Sequence, residues 1–182
     1  MNRREQILAT AATLFAEHGF HGVSVGEIGA AVGISGPGLY KHFPAKDAIL
    51  AEMLVAISEE LLRVGTERVE GAAGDPAAAL EALVAWHTDF ALGNKALIVV
   101  QDRDWAALPV EARERVRGLQ RAYVDLWATQ LCRLDPALDE VEAQARAHAT
   151  FGLLNSTPHS AFLPEDRMRA LLREMALRAL GL

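Results

Sequence analysis

Between Ser24 and Lys46 the chain reads as two short helices joined by a tight turn, and this stretch constrains the fold more than any other. Ser24 stands three residues before Glu27, the spacing at which a hydroxyl accepts from a free backbone N–H while the carboxylate reaches back, so a helix starts near Val25. Val25, Ile28 and Val32 fall three and four apart on its inner face, and Gly33 supplies the left-handed conformation that ends it. Ser35 then caps a second helix, Pro37 is tolerated in the first turn, and Leu39 with Phe43 gives one apolar stripe.

Two helices at this spacing have helix-turn-helix geometry, in which the second enters the major groove of DNA and the first crosses the backbone. The residues assigned to DNA contact are Ser24 and Val25 at the start of the first helix, Ser35, Gly36, Pro37 and Gly38 at the start of the second, then Tyr40, Lys41, His42 and Lys46. Gly36 and Gly38 carry no side chain, so the backbone there can come close to a phosphate. Tyr40 and His42 can reach phosphates or base edges, and Lys41 and Lys46 supply positive charge. The competing reading is an ordinary helical hairpin whose polar residues face water.

The run from Gly19 to Leu50 contains Gly19-Phe20, Val23-Ser24-Val25, Ile28, Ala31, Gly33-Ile34-Ser35, Leu39-Tyr40-Lys41-His42-Phe43 and Lys46-Asp47. It resembles the DNA-binding domain of TetR-type bacterial repressors of the TetR/AcrR family. The resemblance covers about the first third of the chain. It implies an all-helical homodimer whose C-terminal domain binds a small molecule and thereby controls DNA affinity. Gly26 departs from the pattern, because such proteins often carry a longer polar side chain there. The Gly36-Pro37-Gly38 opening of the second helix is also short of side chains able to read base edges.

The fold class that follows is all-α: an N-terminal three-helix DNA-binding domain over residues 1–47 and a C-terminal helical ligand-binding and dimerisation domain over 48–182. The net charge of −6 is unevenly divided. Up to residue 46, Arg3, Arg4, Lys41 and Lys46 outnumber Glu5, Glu17 and Glu27, so the acidic excess lies beyond. Arg3 and Arg4 form a basic start that can touch a phosphate, or simply a solvated terminus. No apolar run reaches about eighteen residues and no signal-peptide core opens the chain, so no membrane partner and a cytoplasmic location are expected. Cys132 is a lone cysteine, and C-x-x-C spacing is missing, so neither a disulfide nor a metal or other cofactor is expected.

Residues 4–18 form an amphipathic helix with Ile7, Ala11, Leu14, Phe15 and His18 on its buried stripe. A longer helix from Ala45 to about Glu70 joins the domains as a stiff lever. Gly71–Pro76 breaks it, and helices follow over residues 76–93, from Lys95 to about Trp105, and from Pro109 through Leu131. Asp135-Pro136 opens the penultimate helix, rich in Ala, and the last begins after Pro164. Two such helices from each subunit can pair into a four-helix bundle, setting two heads about 34–36 Å apart, one DNA turn, or a multiple of it.

Trp86, His87, Phe90, Trp105, Tyr123, Trp127, Phe151 and Asn155 are assigned to a C-terminal cavity for a small apolar effector, with His148, Thr157 and His159 as further polar contacts. Taken singly, each of these aromatics and histidines reads as core. No catalytic constellation emerges: Asp102 and Asp104 do not share a helix face, and no G-x-S-x-G elbow precedes Ser156 or His159. The expected function is a ligand-responsive transcriptional regulator, a repressor released from a double-stranded DNA operator by a small apolar effector. The second reading is a small-molecule carrier or adaptor without DNA binding.

Overall fold

The computed structural model describes residues 2–182, and among these the regular structure is helical throughout. The helices are α1 (Arg3–His18), α2 (Val25–Ala31), α3 (Gly36–Leu39), α4 (Lys46–Gly71), α5 (Pro76–Gly93), α6 (Lys95–Asp104), α7 (Val110–Leu134), α8 (Glu140–Leu154), α9 (Thr157–Ser160) and α10 (Glu165–Leu180). A single 3₁₀ turn, Trp105–Ala107, separates α6 from α7. The caps explain several starts. Asn2 and Glu5 form a capping box on α1, Asp75 accepts from the Ala77 and Ala78 N–H groups at α5, and Asp139 accepts from Glu142 N–H at α8.

The chain forms two compact units. The first runs to Ile57 and takes in Ala96–Arg117; the second comprises Ser58–Lys95 and Gly118–Leu182. The division placed after residue 47 therefore falls inside the first unit. Three short helices expose too much apolar surface to close a core alone. Ile49, Leu50, Met53 and Leu54 of α4, with Val100, Leu108 and Val116, complete the cluster built by Ile7, Phe15, Ile28, Leu39 and Phe43. His18 lies outside that stripe: it is exposed at the end of α1 beside Glu17.

In the second unit α5, α8 and α10 pack on one another. Leu80, Leu83, Val84, Trp127, Leu131, Leu154, Leu172 and Leu180 form the core, with Ala143, Ala147 and Ala176 permitting close approach of the helices. Asp135-Pro136 does not open α8. Asp135 accepts from Ala137 N–H in the turn, and α8 begins four residues after Pro136. Among the described residues no helix is long and apolar enough to cross a membrane, and no group of three or more His, Cys, Asp or Glu side chains is placed to hold a metal ion.

Candidate nucleic-acid interface and aromatic cluster

The head is organised by reciprocal caps. Ser24 Oγ accepts from Glu27 N–H at 3.1 Å, and Glu27 Oε2 accepts from Ser24 N–H at 2.7 Å. Hydrogen bonding to Ser24 holds the Glu27 carboxyl below the usual carboxylate range. Ser35 Oγ accepts from Gly38 N–H at 3.2 Å, and Ile34 N–H donates to Gly29 O at 2.9 Å, closing the turn. Gly33 takes a φ of +72°, the left-handed geometry that a turn needs here. Gly29 escaped the sequence reading. A β-carbon there would lie 2.9 Å from Ile34 O, so α2 and the turn approach as closely as they do only because position 29 has no side chain.

The residues assigned to DNA divide into two groups. Ser24, Ser35, Pro37, Lys41 and Tyr40 are exposed, Tyr40 to 54%, and Gly36, Gly38 and His42 are half-buried on the same segment. Val25 is half-buried and packs on the core cluster. Lys46 is also half-buried. Its Nζ donates to Phe20 O at 2.6 Å and Val23 O at 2.7 Å, and lies 4.3 Å from the centre of the Phe20 ring. Lys46 therefore ties the α1–α2 connection to α4.

Arg3 donates to Val32 O at 2.8 Å, and Arg4 pairs with Glu52 and donates to His42 O. Neither is a free terminus. The sequence shows four cations in this region, but only contact across the fold reveals that three of them hold protein acceptors. Replacing Lys46 by methionine is expected to cost about 1–2 kcal/mol, because two carbonyls lose a charged donor. The urea midpoint of the full chain measures this.

The α1–α2 corner has a further clasp that sequence periodicity did not reveal. Arg103 on α6 donates to Ala16 O at 3.1 Å and to Phe15 O, capping the end of α1. Asp104, almost fully buried, fixes the guanidinium through a 3.2 Å ion pair.

In the second unit, α5, α7 and α8 bring most of the aromatic set together around His87. The His87 ring stacks on Phe151 at 4.8 Å with an 11° tilt and meets Trp127 edge-on at 6.1 Å. Tyr123 stacks on Phe151 at 5.4 Å, and Phe90 lies 5.8 Å from His87. These are mutual contact distances for aromatic rings. His87 Nε2 lies 3.1 Å from Asn155 Oδ1, and Nδ1 lies 3.3 Å from Tyr123 Oη. With the Asn155 amide oxygen as acceptor, the neutral ring carries its proton on Nε2 and accepts the tyrosyl O–H at Nδ1.

Burial drives the His87 pKa down to about 4 against a weaker opposing effect of Asn155, and burial pushes the Tyr123 phenol up. The cluster is therefore uncharged at neutral pH. Trp127 Nε1 is directed toward the Tyr123 hydroxyl without reaching hydrogen-bond geometry. Trp86 borders the group, its Nε1 donating to Leu61 O at 3.3 Å.

Trp105 does not join this cluster. It belongs to the first unit, where its ring lies 5.7 Å from the Arg117 guanidinium, because the 3₁₀ turn after α6 packs it against the other core. His148 and His159 are exposed, while Thr157 is buried and donates to Ala91 O at 2.7 Å, a tie between α9 and α5. Gly65 is the residue of this region that the sequence reading missed. A β-carbon there would sit 2.6 Å from the Tyr123 ring, so its absence lets Tyr123 lie directly against α4.

An N-terminal head with α2, a left-handed turn and α3, and a second unit with a buried aromatic and histidine cluster, make this an all-helical helix-turn-helix protein. Residues 7–53 match the model of the bacterial regulatory proteins of the tetR family, and residues 73–159 match that of the tetracyclin repressor-like C-terminal domain. The chain belongs to the TetR family. It is 33% identical over 127 residues to the HTH-type transcriptional repressor KstR2 of Rhodococcus jostii strain RHA1, a match covering 69% of this chain and 61% of that protein. The chain thus spans about three-fifths of that relative's length.

Among solved structures it resembles the TetR family regulator PfmR of Thermus thermophilus with a TM-score of 0.84 at 25% identity, covering 99% of this chain and 96% of that one. A TetR-family regulator of Bordetella parapertussis superposes with a TM-score of 0.86 at 25% identity, covering 98% and 94% of the two chains.

Proposed function

We propose that this protein is a dimeric, DNA-binding transcriptional repressor that leaves its operator when a small apolar molecule enters the second unit. The observation that carries the reading is the outer face from Ser24 to His42, where two capped helices present Tyr40 and Lys41 to solvent. The repressor named among its relatives supports the same role. The effector class rests on the neutral aromatic cluster: a buried site without a net charge favours an uncharged guest, and an ionised one would lose its hydration without a counter-ion. Since the rings touch one another, the guest must part them, which is how its binding energy can be coupled to a change of shape. A coupling of about 1–3 kcal/mol weakens operator binding about 5–150-fold.

The dimer is assigned to α8 and α10. In the second unit the large hydrophobic side chains left exposed are Val141, Phe162, Leu163, Leu171 and Met175, all on these helices or the segment between them. A twofold axis through that face buries them against their copies.

Electrophoretic shift against the DNA upstream of the protein's own gene tests the reading. The wild type is expected to give a sequence-selective shift that weakens with salt, and Tyr40→Ala to weaken it at least tenfold while sedimenting at the same dimer mass. With Lys41 as the unengaged cation of each head, the slope of log K against log salt is expected near about −2, against about −7 if all four cations of both heads met phosphates. A carrier or adaptor would give no selective shift at all.

A further inference from the structure

The face that would meet DNA is sparse in polar side chains. α3 makes one turn, Leu39 is wholly buried within it, and its remaining positions are Gly36, Pro37 and Gly38, none of which has a hydrogen-bonding side chain. The bareness at position 36 is not a packing requirement: a β-carbon on Gly36 would meet no heavy atom within 4 Å. Gly26 on α2 is similarly open, its nearest neighbour being Ser24 Oγ at 3.8 Å. The polar groups that flank this gap are occupied. Ser24 and Ser35 cap helices, and the Glu27 carboxylate is held by Ser24 and would repel phosphates. Arg3, Arg4 and Lys46 hold protein carbonyls or Glu52.

Direct reading of the major groove depends on side-chain donors and acceptors placed against base edges, bidentate pairs above all. From Ser24 to His42 the side chains with free hydrogen-bonding groups suited to this are Tyr40, Lys41 and His42, clustered after α3 rather than along it. We propose that this head selects its operator mainly by the shape and deformability of the duplex, with base-edge reading confined to the few pairs under Tyr40, Lys41 and His42. Selectivity of that kind arises at base pairs the protein does not touch, because the energy of bending or twisting DNA depends on its sequence. The inference rests on the reading of this face as the DNA-binding surface.

Purified full-length protein is used to select duplexes from a random pool. In the selected site, purines are then replaced one at a time by 7-deaza analogues, which remove the major-groove N7 acceptor and keep the pairing. Separately, G·C pairs are replaced by inosine·cytosine, which keeps the major-groove edge and alters the minor groove and stiffness. The expected result is a fivefold or greater loss from 7-deaza substitution at no more than two positions per half-site, with inosine shifting Kd at least fivefold at one or more other pairs. Such losses at three or more 7-deaza positions per half-site, or inosine effects all below fivefold, overturn the proposal.

Gly36→Gln gives an independent arm, since the open site accepts the side chain. The variant is expected to gain a preference for adenine that 7-deaza substitution abolishes, and an unchanged preference would place Gly36 away from the bases and overturn the proposal. Recovery of no preferred duplex by the wild type removes the DNA-binding reading itself, an outcome distinct from all of these.

Discussion

Lowering the pH from 7 to 4 is expected to remove about 3 kcal/mol of stability through His87 alone. Its pKa in the folded protein is about 4, below the ordinary value of 6.5, because the imidazole is enclosed by Phe90, Tyr123, Trp127 and Phe151 and desolvation opposes the charged form. The unfolded chain therefore binds the proton more readily than the folded one between these two values. Stability from this group is complete above about pH 6.5 and is lost as the pH falls toward 4, at about 1.4 kcal/mol per unit of separation. The opposite slope would require a folded pKa above 6.5. Urea midpoints measured across pH 4–7 for the wild type and for His87→Gln isolate the effect, since the variant keeps every other titrating group. The wild-type curve is expected to fall more steeply by about 3 kcal/mol, and parallel curves would show that His87 is hydrated or charged in the folded state.

The same neutrality bears on ligand choice. Protonated His87 would lose its role as acceptor for the Tyr123 O–H, since both ring nitrogens then donate. One proton thus reverses the bond to Tyr123, whose hydroxyl oxygen would then have to accept, while Nε2 goes on donating to Asn155 Oδ1. A site arranged to keep this histidine uncharged suits a guest that is itself uncharged where it meets the rings, which supports the apolar effector over a buried carboxylate.

Local chemistry makes the head legible in the sequence. The Ser24–Glu27 and Ser35 caps, the left-handed Gly33 and the spacing of Ile28, Leu39 and Phe43 are interactions between residues a few positions apart, so their signal is written in the spacing. Arg3, Arg4 and Lys46 are different. Their partners, Val32, Glu52 with His42, Phe20 and Val23, lie 20 to 50 residues away, where spacing carries no information. Trp105 groups with the other aromatics by its place along the chain, but the turn after α6 sends it to the first core. His87 and Asn155 both stand out in the sequence as polar contacts, while their meeting at 3.1 Å requires α5 and the end of α8 to converge. Gly29 and Gly65 show the remaining gap: a missing side chain is visible in the sequence, but the atoms it makes room for are not.

Gly29→Ala is expected to disable the reading head while leaving the second unit folded. The added carbon would lie 2.9 Å from Ile34 O and 3.5 Å from the Ser35 carbonyl carbon, and these are backbone atoms that no rotamer change can move aside. Relief requires α2 and α3 to separate, which strains the 2.9 Å hydrogen bond from Ile34 N–H to Gly29 O that closes the turn. Overpacking of this kind costs about 1–3 kcal/mol. The higher helix propensity of alanine returns about 1 kcal/mol, so the net loss of stability is smaller than the loss of function.

DNA binding as proposed requires both helices of the pair to be correctly placed at once, and in the proposed dimer displacement of α3 would affect both half-sites. Operator affinity is therefore expected to fall more than tenfold, measured by gel shift at fixed salt. Gly36→Ala is the internal comparison: its β-carbon meets open space, so its stability is expected within about 0.5 kcal/mol of wild type. Wild-type affinity in Gly29→Ala would mean that the turn yields without moving α3, and that the close approach at position 29 is not what orients the head.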